Sequence, residues 1–434
     1  MKNNKKIKKW VENRRIKTFF LVKKKEIFSL QKWKCDKRKI YHTSKKFFQV
    51  LGIRIVSNFF KNVTWDQPLL SQNEIGILGI IRRLYSGKIQ YLMQAKAEPG
   101  NINKLQLSPT VQATKSNYSQ VHRGKKVKYL NYFAHLKGKE TLVNSLQTEQ
   151  GGRYLFKHNR NLIINTNKHI KLDQNYIWLS KQDIINSANQ NNLLNMDSIS
   201  VFSCGIKKNI NENPEISLSK IHTWFNKLKK KYFIKRKIIP LSKMKSWNYN
   251  KKNIIHKNKK YFSIIGLNIK TNSREISEWE QPIIHEISTG LSGFIIKKIN
   301  STVHYLVRFS LKPGLKKPSL TCTVRTSDEK SCLNEKNYTS LKDNDLMKFF
   351  LKKYFVKNNK GKIMYNKIQS DEGGRFYHAQ SKNMVVQVHE KEAIRLNDNY
   401  TWMTHNQVLH FIKKGIFNIE ARILFACFNI KNIL

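Results

Sequence analysis

Trp65-Asp66-Gln67-Pro68 returns as Trp279-Glu280-Gln281-Pro282, and Gly151-Gly152-Arg153-Tyr154 returns as Gly373-Gly374-Arg375-Phe376. Around the first of these the register is strict. Trp33, His42, Gly52, Gly79, Tyr91, Pro99 and Gly100 recur 214 positions later as Trp247, His256, Gly266, Gly293, Tyr305, Pro313 and Gly314. Matches of this kind at one offset are hard to obtain by chance, so the chain is a tandem duplication of one unit. A chain of 434 residues has room for two or three domains. The repeat selects two, each of about 200 residues and large enough to bury its own core; solenoid units are much shorter. The organisation read from the sequence is a basic segment at 1–26, a first repeat at 27–205, a linker at 206–235 and a second repeat at 236–434.

The net charge of +54, from 82 Lys and Arg against 28 Asp and Glu, raises the question of a nucleic-acid partner. The excess is mostly Lys, spread along the whole chain, whereas bidentate phosphate readers favour Arg. A Lys-covered enzyme is therefore preferred to a dedicated nucleic-acid binder, and no specific nucleic acid is expected. Cysteines 35, 204, 322, 332 and 427 are scattered without a CxxC pair, which argues for reduced thiols in a cytoplasmic protein. Cys204 and Cys427 are repeat-equivalent in apolar runs and are expected in the core. The run Phe19-Phe20-Leu21-Val22 is too short for a signal peptide, and no stretch approaches the ~18 apolar residues of a membrane span.

Strands dominate the early part of each repeat. Phe47 to Ile55, Tyr261 to Ile269, Ile75 to Leu84 and Gln90 to Ala97 carry β-branched and aromatic residues, with Ser86-Gly87 as a turn. A helix is expected to close each repeat, capped by Ser180 with Asp183 and by Thr404 with Gln407. The linker should carry a helix from Ser217 to Tyr232 with Ile221, Trp224, Phe225 and Leu228 on one face. Strands mixed with a few helices in one unit indicate an α+β (mixed α/β) fold.

The densest polar stretch runs from Gln94 to Asn101 and from Leu107 to Tyr118. Gln94, Lys96 and Glu98 alternate along a strand and so share a face, as do Thr110, Gln112 and Thr114. Such faces are either solvated or the floor of a polar pocket, because long polar side chains inside a fold must satisfy one another or meet a ligand. His122-Arg123-Gly124 follows in a basic loop that could hold a phosphate. Gln147-Thr148-Glu149-Gln150-Gly151-Gly152-Arg153 sets a carboxylate, a glycine turn and an Arg together, and Gln369 to Arg375 keeps that pattern. P-loop, GxGxxG, HExxH and GxSxG patterns are absent from the sequence, so no cofactor or metal is expected.

These same segments resemble the NDP-hexose 2,3-dehydratases of deoxysugar biosynthesis. The resemblance runs from Trp65-x-Gln67-Pro68 through Glu74 to Gly79, Gln94 to Asn101, Leu107 to Tyr118 and His122-Arg123-Gly124. It continues in Glu149 to Arg153, Asn159-Arg160-Asn161 and Asn195-Met196-Asp197, and it includes the duplication. It implies two Nudix-like domains in tandem without a Nudix catalytic box, assembled as a homodimer. It also implies a dTDP-4-keto-6-deoxyhexose substrate that loses its C2 hydroxyl as water, and functional coupling to a 3-ketoreductase that takes the labile 3,4-diketo product.

Such a reaction needs a base, an acid, donors to an enolate and a diphosphate clamp. The candidates are Glu149 or Glu98 as base, with His122 as the rival. Lys96 is the candidate for enolate stabilisation or leaving-group protonation. Gln67, Gln94, Asn101, Thr110, Gln112 and Thr114 would bind the sugar, Arg123 and Arg153 the diphosphate, and Tyr118 or Trp65 the thymine. In the second repeat Arg308, Ser310 and Lys312 stand where Gln94, Lys96 and Glu98 do, and the Pro-Thr-Val-Gln run becomes Cys322-Thr323-Val324-Arg325. The catalytic pocket is therefore expected in the first repeat. A degenerate second pocket is expected around Trp279, Gln281, Arg375 and Tyr377. The alternatives are a nucleotide-sugar binder without catalysis and a polyanion binder.

Overall fold

The architecture comes from a computed structural model, which describes residues 2–59, 63–119, 125–134, 136–259, 261–327, 342–356 and 360–434. The chain is a mixed α/β tandem duplication, and each repeat supplies two sheets. In the first repeat a six-stranded sheet is built around Gln49–Ser57 and Val63–Ser71. A seven-stranded sheet is built around Gly76–Tyr85 and Lys88–Ala97, joined at Ser86 and Gly87, both in the left-handed region at φ 48° and 70°. That pair of positive φ values suits the primed turns of tight hairpins, where Gly carries no Cβ penalty. The second repeat repeats both sheets around Phe262–Thr271, Glu278–Glu286, Gly290–Ile299 and Thr302–Ser310.

The two repeats exchange strands. Phe20–Lys25, at the head of the first repeat, pairs antiparallel with Phe262–Thr271 of the second. Its counterpart Ile234–Ile239 pairs antiparallel with Gln49–Ser57 of the first. Lys25 sits opposite Gly266 and Ile239 opposite Gly52. A Cβ at either glycine would lie within 2.8 Å of the incoming strand's carbonyl oxygen, so only glycine admits the exchanged strand. Indole N–H groups reinforce it: Trp33 Nε1 donates to the Glu280 carbonyl at 2.8 Å, and Trp247 Nε1 donates to the Asp66 carbonyl at 2.6 Å.

Each repeat ends in two helices rather than the single one expected. Lys181–Ala188 and His405–Lys413 start at the anticipated capping boxes. Met196–Cys204 and Ile419–Asn429 follow, N-capped by the side chains of Asn195 and Asn418. This last pair is buried on nearly every side, polar residues included, so it carries no amphipathic stripe for a sequence to show; the two helices pack on each other at the centre of the largest core. Cys204 and Cys427 lie there as anticipated. Arg422 is fully buried among them, donating to Ser200 Oγ at 2.6 Å and to the Thr148 carbonyl at 2.8 Å. The linker helix spans Leu218–Lys231 and buries Ile221, Phe225 and Leu228 in the same core. Among the described residues no helix is long and apolar enough to cross a membrane.

Candidate active site

A cavity of about 630 Å³ lies between the repeats, in the size range of small-molecule sites. The first repeat contributes Lys96, Glu98, Gln112, Thr114, Glu149 and Asp197. The second contributes Arg274, Glu275, Trp279, Gln281, Glu372 and Arg375. The pocket is thus composite, and its construction follows from one exchange of loops. Gly100, after the Lys96–Glu98 strand, donates to the Gly373 carbonyl at 2.7 Å, and His378 N donates back to the Gly100 carbonyl at 2.8 Å. The Glu372-Gly373-Gly374-Arg375 loop therefore docks on the first repeat's polar floor. Gln281, itself held by Trp279 Nε1 at 2.9 Å, donates to the Gly374 carbonyl at 2.8 Å and fixes the loop's outer side.

The reciprocal contacts build a second pocket of about 260 Å³. Gly314 donates to the Gly151 carbonyl at 2.6 Å, and Gln67 donates to the Gly152 carbonyl at 2.9 Å. Arg153, expected at the diphosphate beside Glu149, faces this second pocket instead, bound bidentately to Glu286 at 2.7 and 3.0 Å. Trp65 and Gln67 belong to its supporting shell. Conversely Trp279, Gln281 and Arg375, expected at the second pocket, line the large cavity. Tyr377 lines neither described pocket and stacks on His378 with centroids 4.0 Å apart. The swap was hidden from a linear reading because each Gly-Gly-Arg loop follows its own repeat in sequence but crosses to the other in space.

Within the large cavity the polar floor is tightly connected. Lys96 Nζ donates to the Gln112 carbonyl at 2.9 Å and lies 3.8 Å from Glu98 Oε1. Gln112 Nε2 donates to Glu98 Oε1 at 3.0 Å, and its own Oε1 accepts from Asn195 at 2.9 Å. Asn159 donates to Glu149 Oε1 at 2.6 Å, and Lys157 Nζ is anchored on the Glu74 carbonyl at 2.6 Å. One oxygen each of Glu98, Glu149 and Asp197 is buried without a hydrogen-bond partner. Buried polar atoms of this kind ordinarily find partners, and all three residues line the cavity.

The electrostatics follow from burial and crowding. Burial raises the Glu149 carboxyl above the usual range, against the opposing pull of Arg422, Lys157 and Asn159. Burial raises Asp197 well above its ordinary value, with Glu149, Glu372 and Glu98 adding repulsion. Glu372 is pushed up to about 7 by desolvation and by Glu98. Burial lowers Lys96, against the attraction of Glu98. Glu275 runs the other way: desolvation raises it, but Arg274 at 3.3 Å and Lys96 hold it down to about 2. Carboxyls with such divergent environments in one cavity supply both a proton acceptor and a proton donor near neutral pH.

Not every expected residue reaches the cavity. Thr110 is fully buried; its Oγ1 bridges the Ile81 N–H and the Leu92 carbonyl, a structural tie between strands. Gln94 is held by Ser108 at 3.5 Å outside the lining. Asn101 is buried against Gly373 and supports the docked loop. Tyr118, the last residue of the short helix Lys115–Tyr118, is half-buried and packs against a core cluster outside the lining. His122 and Arg123 lie outside the described residues. Cavity residues that sequence reasoning gave no role include Trp33, Arg274, Glu275, Lys157, Tyr154, Asp197 and Glu372.

A family model described as NDP-hexose 2,3-dehydratase matches residues 4–204 and again 218–428. A dTDP-4-dehydro-6-deoxy-alpha-D-glucopyranose 2,3-dehydratase of Saccharopolyspora spinosa is 32% identical over 447 positions, covering 96% of this chain and 89% of that protein. Proteins of the same name from Amycolatopsis orientalis and Streptomyces violaceoruber are 32% and 30% identical, covering 98% and 96% of this chain and 89% and 95% of their own lengths. Matched twice by the family model and along nearly its whole length by these relatives, the chain belongs to the NDP-hexose 2,3-dehydratase family of lyases.

Proposed function

We propose that the protein eliminates water across C2 and C3 of a dTDP-4-keto-6-deoxyhexose, and that the composite cavity is where it does so. The C4 ketone acidifies the C3 proton. Glu149 takes that proton, its carboxyl raised above its ordinary value by burial and one of its oxygens buried without a hydrogen-bond partner, and a raised carboxyl is a better proton acceptor. Glu98 is the alternative base. Lys96 stabilises the enolate oxygen, since a buried ammonium with a loosened proton interacts strongly where water is excluded. The enolate then expels the C2 oxygen, and tautomerisation leaves a 3,4-diketo-2,6-dideoxy sugar. Arg274 and Arg375 are the cations placed for the diphosphate, and Trp33 and Trp279 are the aromatic faces available to the base.

The observation that carries this reading is the cluster of Glu98, Glu149 and Asp197, each with an unpartnered buried oxygen, beside Lys96 in one cavity. The family resemblance further supports two Nudix-like units, a homodimer and coupling to a 3-ketoreductase. The test is incubation of the purified protein with dTDP-4-keto-6-deoxyglucose in deuterated water, followed by mass spectrometry. Loss of water, or decay to free dTDP with a sugar fragment, is the expected result. Saturable binding without turnover leaves a nucleotide-sugar binder. Neither, together with salt-sensitive binding of DNA or RNA, assigns the protein to polyanions.

A further inference from the structure

Glu372 enters the cavity from the second repeat, and Tyr154 meets it from the first. The Tyr154 hydroxyl donates to Glu372 Oε2 at 3.0 Å, and the Gly374 N–H donates to Oε1 at 2.9 Å. Both residues line the cavity with Glu98 and Glu149. The duplication supplies an internal control. Glu372 is the repeat counterpart of Gln150, and Tyr154 is the counterpart of Phe376. The second pocket, which has Lys312 in place of Glu98 and Arg325 in place of Gln112, carries Gln150 and Phe376. An ionisable acid and its hydroxyl partner thus occur where the polar floor is intact, and an amide and a bare ring occur where that floor is gone. Packing does not require the polar pair, because the same loop closes over the second pocket with Gln and Phe.

Resting on the dehydratase reading above, we infer that Glu372 is the acid that protonates the departing C2 oxygen, with Tyr154 as its positioning residue across the repeat boundary. The base takes the C3 proton, and the C3–H electron pair becomes the C3=C4 double bond of the enolate. That enolate collapses to a C2=C3 double bond as the C2–O bond breaks. The oxygen leaves as water with the proton of Glu372. The resulting 3-hydroxyl gives up its proton while C2 gains one, which completes the 3,4-diketone. The base discharges its proton to solvent, and Glu372 recovers one from solvent. A donor must be protonated to work, and a carboxyl pushed up to about 7 is protonated over the lower half of the neutral range.

The test compares wild type with Glu372→Gln, Glu372→Asp and Tyr154→Phe in dehydration of dTDP-4-keto-6-deoxyglucose, alongside dTDP binding and thermal unfolding. Glu372→Gln and Tyr154→Phe copy residues that the other repeat already carries at these places. Glu372→Gln is expected to bind dTDP as wild type does, to lose roughly 100-fold or more in kcat and to lose the alkaline limb of its pH profile. Glu372→Asp is expected to recover part of the rate and the limb. Tyr154→Phe removes a hydrogen bond that favours the ionised carboxyl, so its alkaline limb is expected at higher pH. Wild-type kcat with an unmoved alkaline limb in Glu372→Gln, if wild type dehydrates the sugar, overturns this inference alone. A wild-type protein that dehydrates nothing overturns both this inference and the reading beneath it.

Discussion

The backbone N–H of Gly100 donates to the carbonyl of Gly373 at 2.7 Å, and it does so with no space between the two loops. A Cβ on Gly100 would sit 1.6 Å from the Phe376 carbonyl oxygen, a backbone atom that cannot swing aside. Gly100→Ala must therefore push the repeats apart. The expected cost is at least about 3 kcal/mol with loss of dehydration, since overpacking against backbone is not relieved by side-chain motion. Gly152→Ala is the control. A Cβ there meets nothing within 4 Å, and its effect should stay within about 0.5 kcal/mol. Chemical denaturation of the two variants beside wild type checks both.

Removing the proposed base should separate chemistry from folding. Glu149 Oε1 accepts from Asn159, and Oε2 is unpartnered. A Gln at 149 keeps the acceptor and places an amide at the free position. Glu149→Gln is expected to lower kcat by about 100- to 10,000-fold with little change in unfolding midpoint. Unchanged turnover would transfer the role to Glu98, and Glu98→Gln would then carry the loss.

Asp371 tests the electrostatics of the second pocket without touching the first. Desolvation, with Glu286 and Glu420 nearby, pushes its carboxyl up to about 7. The folded protein thus holds this proton more tightly than the unfolded chain does. Its contribution is most favourable below the unfolded value near 4 and is lost as pH rises through about 7. Asp371→Asn removes that titration while leaving every histidine in place. The variant should be more stable than wild type at pH 8, and the gap should close by about pH 4. Thermal unfolding of the two proteins across that range reads the difference directly.

The duplication, the strand-rich halves and both capping boxes were legible in the sequence because they are local or periodic. Trp65 and Trp279 announce the repeat, and Ser180 with Asp183 announces a helix start. The floor residues Lys96, Glu98, Gln112 and Glu149 were legible for a similar reason: polar side chains at strand spacing have few places to go. The loop exchange was not. Nothing within Gln150 to Arg153 says which floor it will cover, and the crossing is set by Gly100 and Gly314 far away in the chain. Arg153 therefore faces the second pocket, and Arg375 and Trp279 face the large one. A signal did exist in the repeat alignment. Gln150 against Glu372 reverses the trend of decay, since the second repeat there holds the acid. That reversal makes sense once the loops are seen to cross.

Arg422 ties the fold of the second repeat to the chemistry of the first. It is fully buried, donates to Ser200 and to the Thr148 carbonyl, and is the foremost influence lowering the Glu149 carboxyl against its burial. Arg422→Met removes a buried charge and both hydrogen bonds, with an expected loss of about 3 kcal/mol in stability. It also leaves Glu149 without that nearby cation, so the carboxyl should rise further. If Glu149 is the base, the acid limb of kcat/KM moves to higher pH. Arg422→Lys keeps the charge and should hold the limb near its wild-type position even where packing suffers. A limb that stays put in Arg422→Met, measured below its unfolding temperature, would make Arg422 a strut for the core and nothing more.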